Sequence, residues 1–99
     1  MTEHSSHAET RTAKARTYMI QLCKHFGHKM PVTYDDAHAR IEFPMGVCKA
    51  DVDGDVLHLT AIAADEARLP QLQDVIARHL VRFAFKEDLA IDWKRDVAA

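Results

Sequence analysis

Asp53-Gly54 lies between two runs in which apolar and polar residues alternate, 47–52 and 55–63. Asp-Gly flanked by such runs is a strong short-range signal for a two-residue β-hairpin. A turn closed there sets Val52 opposite Asp55, Ala50 opposite Leu57 and Cys48 opposite Leu59. That pairing collects Cys48, Ala50, Leu57, Leu59 and Ala61 on one face. Lys49, Asp51, His58 and Thr60 fall on the other. A sheet that sorts its faces this way needs a covering layer on the apolar side only.

The flanking segments extend the pattern. Residues 38–43 alternate, with Ala39, Ile41 and Phe43 apolar and Arg40 and Glu42 polar. Pro44-Met45-Gly46 suits a turn. A four-residue loop, 44–47, sets Phe43 opposite Cys48 and keeps Ile41 inward; a three-residue loop would flip the strand. Residues 30–34 read as a short first strand and Asp35-Asp36-Ala37 as a polar turn. Before them, Ala15, Met19, Leu22, Cys23 and Phe26 recur at helical steps within 10–26. Gly27 suits the position after a helix, where positive φ can close it, and Pro31 prevents resumption. Lys24 and His25 lie in the last turn, where the helix dipole favours cations. A second helix opens near Asp65, is regular from Pro70, and carries Leu72, Val75, Ile76, His79, Leu80 and Phe83 on one stripe. Leu89, Ile91 and Trp93 alternate as a last strand.

The expected order is α-β-β-β-β-α-β. That makes an α+β two-layer sandwich, an antiparallel sheet of four to five strands with two helices on one face. With strands numbered in this order, the expected sheet is 5-1-2-3-4. Residues 1–9, rich in Ser, His and Glu, read as a flexible leader. Residues 10–95 form a single domain and 96–99 a tail. At 99 residues the chain can bury a core without metal or disulfide help. A net charge of −2 speaks against a nucleic-acid binder. No apolar run approaches the ~20 residues of a membrane span. The polar start lacks a signal core, which places the protein in the cytoplasm with reduced thiols.

Cys23-x-His25-x-x-His28 looks like a metal motif, but on a helix Cys23 and His25 project about 200° apart. A non-local set is more coherent: Cys23 on helix one, Cys48 on the sheet and His79 on helix two all face one interior. Two thiolates and an imidazole could hold zinc, iron or copper, and the thiols could form a redox pair. The same residues also suit an ordinary core. Asp51-Val52-Asp53-Gly54-Asp55 fails as a calcium loop, since Gly54 is fourth rather than sixth and Ile62 stands where a Glu is needed. Arg82, Lys86, Lys94 and Arg95, near Phe85 and Trp93, form either a basic patch for an anion or a solvated face. Ser5 and Ser6 are the only serines, so a serine-hydrolase triad is not expected.

Tyr18-x-x-x-Leu22-Cys23-Lys24-His25-x-x-His28-Lys29, then Phe43-Pro44-x-Gly46-x-Cys48, then His79-Leu80-x-Arg82-Phe83-Ala84-Phe85-Lys86-Glu87 and Trp93, resemble a small bacterial domain-of-unknown-function family, DUF 2218. The resemblance spans residues 16–95. Pro70 departs from it at the start of the second helix. The family pattern includes Cys23, His25, His28, Cys48, His79 and Arg82, and the domain occurs alone or with siderophore-interacting flavoproteins. The resemblance implies a link to iron or siderophore handling; together with the inward Cys/His set it gives the expectation of a non-enzymatic accessory domain that binds iron, zinc, haem or a ferric chelate, or docks to such a flavoprotein. Cys23, Cys48 and His79 are the leading candidates; His25, His28 and Arg82 stand behind them. Two other functions are open: a thiol redox protein using Cys23 and Cys48, and a homodimerising module whose outer sheet face bears Val56, His58, Thr60 and Ile62.

Overall fold

The computed structural model describes residues 4–95; residues 1–3 and the expected tail, 96–99, lie outside the described residues. The element order is β1 (His4–Arg11), α1 (Ala15–Phe26), β2 (Val32–Tyr34), β3 (His38–Phe43), β4 (Gly46–Asp53), β5 (Val56–Ala63), α2 (Leu69–Phe83) and β6 (Lys94–Arg95). The six strands form one antiparallel sheet in the order β2-β3-β4-β5-β1-β6. Both helices pack on one face, so the α+β two-layer architecture is as expected, with six strands rather than four or five.

The expected leader is the main correction. Residues 4–11 are a strand inside the sheet, paired with β5 from His4↔Ala63 to Arg11↔Val56. Ser6, Ala8 and Thr10 face inward and are buried. These side chains are small, so the strand shows little hydropathy while still filling its share of the core. Buried Ser6 accepts a hydrogen bond from Gln73 of α2. Because Thr10 and Arg11 belong to β1, α1 starts at Ala15 rather than Thr10.

The hairpin between β4 and β5 forms, but its register differs by two residues. Asp53 pairs with Val56, Val52 with Leu57, Ala50 with Leu59 and Cys48 with Ala61. Gly54 has φ 59° and Asp55 does not have positive φ. Glycine at the first loop position is the pattern of a type II′ turn, which moves the loop to Gly54-Asp55. The β3–β4 loop is shorter than expected, two residues rather than four, with Phe43 opposite Gly46 and Ile41 opposite Cys48. An even shift preserves the faces. Ala39, Ile41, Phe43, Cys48, Ala50, Leu57, Leu59 and Ala61 are accordingly all buried.

Residues 89–93 are not a strand. Leu89, Ile91 and Trp93 pack half-buried against the core, and only Lys94 and Arg95 pair, with His7 and Ser6 of β1. The last strand therefore adds beside β1, not beside β2, and the expected 5-1-2-3-4 order is replaced. β1 already occupies the open edge of β5, leaving its own far edge for β6.

Helix α1 buries Ala15, Tyr18, Met19, Leu22, Cys23 and Phe26, and α2 buries Leu69, Leu72, Ile76 and Leu80. Pro70 sits in the first turn of α2, where its missing N–H removes no helical bond. Gly27 donates to the Cys23 carbonyl but keeps φ −63°, so it closes α1 without the expected left-handed turn. After α2 the chain is tied back to the β1–α1 connection. Glu87 accepts from Thr12 Oγ1 at 2.8 Å and from the Tyr18 hydroxyl. No helix among the described residues is long and apolar enough to cross a membrane.

Candidate functional site

The structure separates the six candidate residues into two groups. Cys23 and Cys48 are both buried, each 1% exposed, and both are free thiols. Burial raises the Cys23 thiol to about 11. Burial first, and then the nearby Cys23, raises Cys48 to about 12. The thiolate is the form that attacks disulfides and binds metals, and both sites disfavour it. Cys48 makes only a long contact to the Lys49 carbonyl, 3.8 Å. These two side chains have the environment of core residues.

The raised acids carry a prediction. Tyr18 is raised from 10.0 to about 12, first by its hydrogen bond to Glu87 and then by burial. Each of the three groups is held neutral in the fold and ionises earlier in the unfolded chain. Their stabilisation is therefore fully present below pH 9 and is lost as pH rises from about 9 to about 12. The urea midpoint should be level from pH 7 to 8.5 and fall steadily above pH 9. A level midpoint through pH 11 would contradict this account.

His79 does not join the cysteines. It lies half-buried on the border of α2, beside His25 of α1. Among the described residues, no group of three or more His, Cys, Asp or Glu side chains is placed to hold a metal ion. Instead His79, His25, His28 and Arg82 gather where α1 ends against the second half of α2. The His25 and His79 ring centroids are 4.9 Å apart, with planes tilted by 44°. Phe26 meets both imidazoles edge-on at 4.9 Å, and Phe83 meets His25 at 5.6 Å. Phe26 packs in turn on Phe43 of β3, 4.8 Å between centroids, which anchors the aromatic floor to the sheet.

Two features set the chemistry of this cluster. First, His79 Nδ1 lies 2.7 Å from the Val75 carbonyl oxygen. The carbonyl can only accept, so Nδ1 carries the hydrogen, and in the neutral ring Nε2 keeps its lone pair. A backbone carbonyl on the far nitrogen is the usual support behind a metal-binding imidazole. Second, desolvation, then His79, then Arg82, His28 and Lys29 depress the His25 pKa below 6.5. At neutral pH His25 is therefore an uncharged donor with a lone pair. No carboxylate contributes to that shift. The cluster thus offers two imidazoles, that of His25 held neutral, in a field set by Arg82 and Lys29. Such a field repels a bare cation and attracts an anion.

Lys29 was not among the expected candidates. Its signal is the His25-x-x-x-Lys29 spacing across the helix end. The pairing of His25 with His79 carries no local signal, because it depends on how α1 and α2 cross.

The family model described as "Uncharacterized protein conserved in bacteria (DUF2218)" matches residues 7–94, which include every residue of the cluster. Among solved structures, the NMR structure of PA4090 from Pseudomonas aeruginosa is similar, with a TM-score of 0.74 and 35% sequence identity. The match covers 95% of this chain and 96% of that one. No curated protein matches the chain.

Proposed function

The chain belongs to the DUF2218 family of uncharacterised bacterial proteins, and from that premise we propose that it is a small binding domain that takes up an anionic iron chelate at the His25–His79–Arg82 cluster. The observation that carries this reading is the contact between two imidazoles, one with its tautomer fixed by Val75, the other shifted by the neighbouring cations Arg82 and Lys29. Imidazole suits iron as a ligand. Two protein donors leave most of an iron coordination sphere to be filled, and a chelate brings its own oxygen ligands. Its negative charge would be matched by Arg82 and Lys29. In this reading His25 and His79 hold the metal through open positions of the chelate, and Arg82 orients a carboxylate or other oxygen donor. Iron or siderophore handling, and docking to a siderophore-interacting flavoprotein, would follow as the setting of such a domain. Haem, with an iron that accepts axial imidazoles and two propionates, is the other ligand of this chemistry.

Calorimetric titration of the untagged protein with ferric citrate, and separately with haem, tests the proposal. Saturable binding of either is expected. His79→Gln and Arg82→Gln should each weaken it at least about tenfold, the scale of losing a metal-supporting or charge-assisted contact. Cys23→Ala should leave it within about twofold, since the thiol lies outside the cluster. Absence of saturable binding for both probes would overturn the reading.

A further inference from the structure

On the outer face of the sheet, opposite both helices, two neighbouring central rows differ in their charge. In one row the register places His38, Asp51, His58 and Glu9 side by side across β3, β4, β5 and β1. Charges there alternate and pair. His38 Nδ1 is 2.6 Å from Asp51 Oδ1, and His58 Nδ1 is 3.4 Å from Glu9 Oε1. Two residues along the strands, the next row runs Thr33, Arg40, Lys49, Thr60, His7 and Lys94 across all six strands. It contains no carboxylate.

At its centre, Arg40 and Lys49 are direct cross-strand partners. Directly opposed like charges destabilise an antiparallel pair. Neither has a carboxylate partner among the described residues. Three carboxylates border the pair: Glu42, two residues along β3 from Arg40; Asp51, two residues along β4 from Lys49; and Asp35, before β3. Asp35 accepts from the Ala37 and His38 amides, and Asp51 is bound to His38. Arg40, Lys49 and Thr33 also line an open pocket of about 360 Å³ whose other walls include Tyr34, His38, Asp35 and Asp51. A guanidinium fork, an ammonium and a hydroxyl at adjacent sheet positions form a donor set for a doubly charged oxyanion.

We propose that Arg40 and Lys49, with Thr33, form an anion-binding site on the outer sheet face, suited to the phosphate group of a small phosphorylated molecule. The site lies on the opposite side of the sheet from the His25–His79 cluster and does not depend on the reading given for that cluster.

The test is a titration of the full chain with inorganic phosphate, and then with a phosphate monoester, followed by two-dimensional ¹H–¹⁵N NMR at constant ionic strength against a chloride control. Saturable shifts centred on residues 33, 40 and 49 are expected with phosphate and not with chloride. Arg40→Gln and Lys49→Gln should each weaken binding at least fivefold, with the remainder of the spectrum unchanged. A monoester that binds more tightly than free phosphate identifies a phosphorylated molecule as the source. Equal binding identifies the free ion. Shifts that match those of chloride, or that persist in the Arg40→Gln/Lys49→Gln double variant, would overturn the proposal.

Discussion

Deleting residues 1–11 should abolish cooperative folding. The first nine of these residues read as a polar leader, and a leader could be removed without effect. In the structure residues 4–11 are β1, and eight residue pairs join that strand to β5. Its loss exposes the backbone edge of β5, whose Leu57, Leu59 and Ala61 form the middle of the core. It also removes the strand on which β6 pairs, and leaves Gln73 of α2 without its Ser6 acceptor. Unpaired buried backbone groups each cost on the order of a lost hydrogen bond. Several together match the whole stability of a domain this size, roughly 5–15 kcal/mol. Circular dichroism of the truncated chain should show no sigmoidal melt, and ¹H–¹⁵N spectra should lose dispersion. A truncated chain that melts within a few degrees of the full one would return residues 4–11 to the status of a leader.

Gly46→Ala is the point substitution expected to cost most. Gly46 opens β4 opposite Phe43, close against the end of β5. A Cβ there would lie 2.2 Å from the Ile62 carbonyl oxygen and 3.0 Å from Leu72 Cδ2. The first contact is to backbone and cannot be relieved by a rotamer change. Either the β4–β5 spacing opens or the strand end detaches. The cost should be about 3 kcal/mol, at the upper end of ordinary overpacking, and the melting temperature should fall by more than about 10 °C. Gly54→Ala is the informative comparison. Nothing lies within 4 Å of its Cβ position, but its φ of 59° is left-handed. That should cost only about 1–2 kcal/mol. Equal effects of the two substitutions would contradict the steric account.

The parts of this fold legible in the sequence are those where burial follows period. The alternation of 38–43, 47–52 and 55–63 placed Ala39, Ile41, Phe43, Cys48, Ala50, Leu57, Leu59 and Ala61 inward, and all are buried, because faces depend only on parity. Register was less legible. Asp53-Gly54 is compatible with a loop on either side of the glycine, and the sign of φ at one residue decides between them. β1 was hidden because its inward positions, Ser6, Ala8 and Thr10, are small or polar, and one of them is satisfied by a side chain 67 residues away. Leu89, Ile91 and Trp93 show the reverse case. They alternate in burial without a partner strand, so periodicity identified the packing but not the hydrogen bonding.

The candidate site divides along the same line. Cys23 and Cys48 were correctly placed inward, and their burial is what holds the thiols protonated. His79 is expected on the inward stripe of the second helix, facing the cysteines. It lies at the border, because Leu72, Ile76 and Leu80 take the fully buried positions of α2. That displacement brings it to His25 instead of to the cysteines. The Arg40–Lys49 pair was invisible until cross-strand register was known, since the two residues lie on different strands of ordinary polar appearance.

The central claim is that His25 and His79 act together as imidazole ligands for an anionic iron chelate. The most direct measurement is long-range ¹H–¹⁵N NMR of the histidine imidazoles during titration with gallium(III) citrate, a diamagnetic substitute for the ferric complex. The account predicts that His79 Nε2 and one ring nitrogen of His25 move together to metal-bound shifts, while His79 Nδ1 keeps its hydrogen on the Val75 carbonyl. Imidazole signals that stay unchanged at saturating chelate, or shifts confined to His28 and His38, would contradict it.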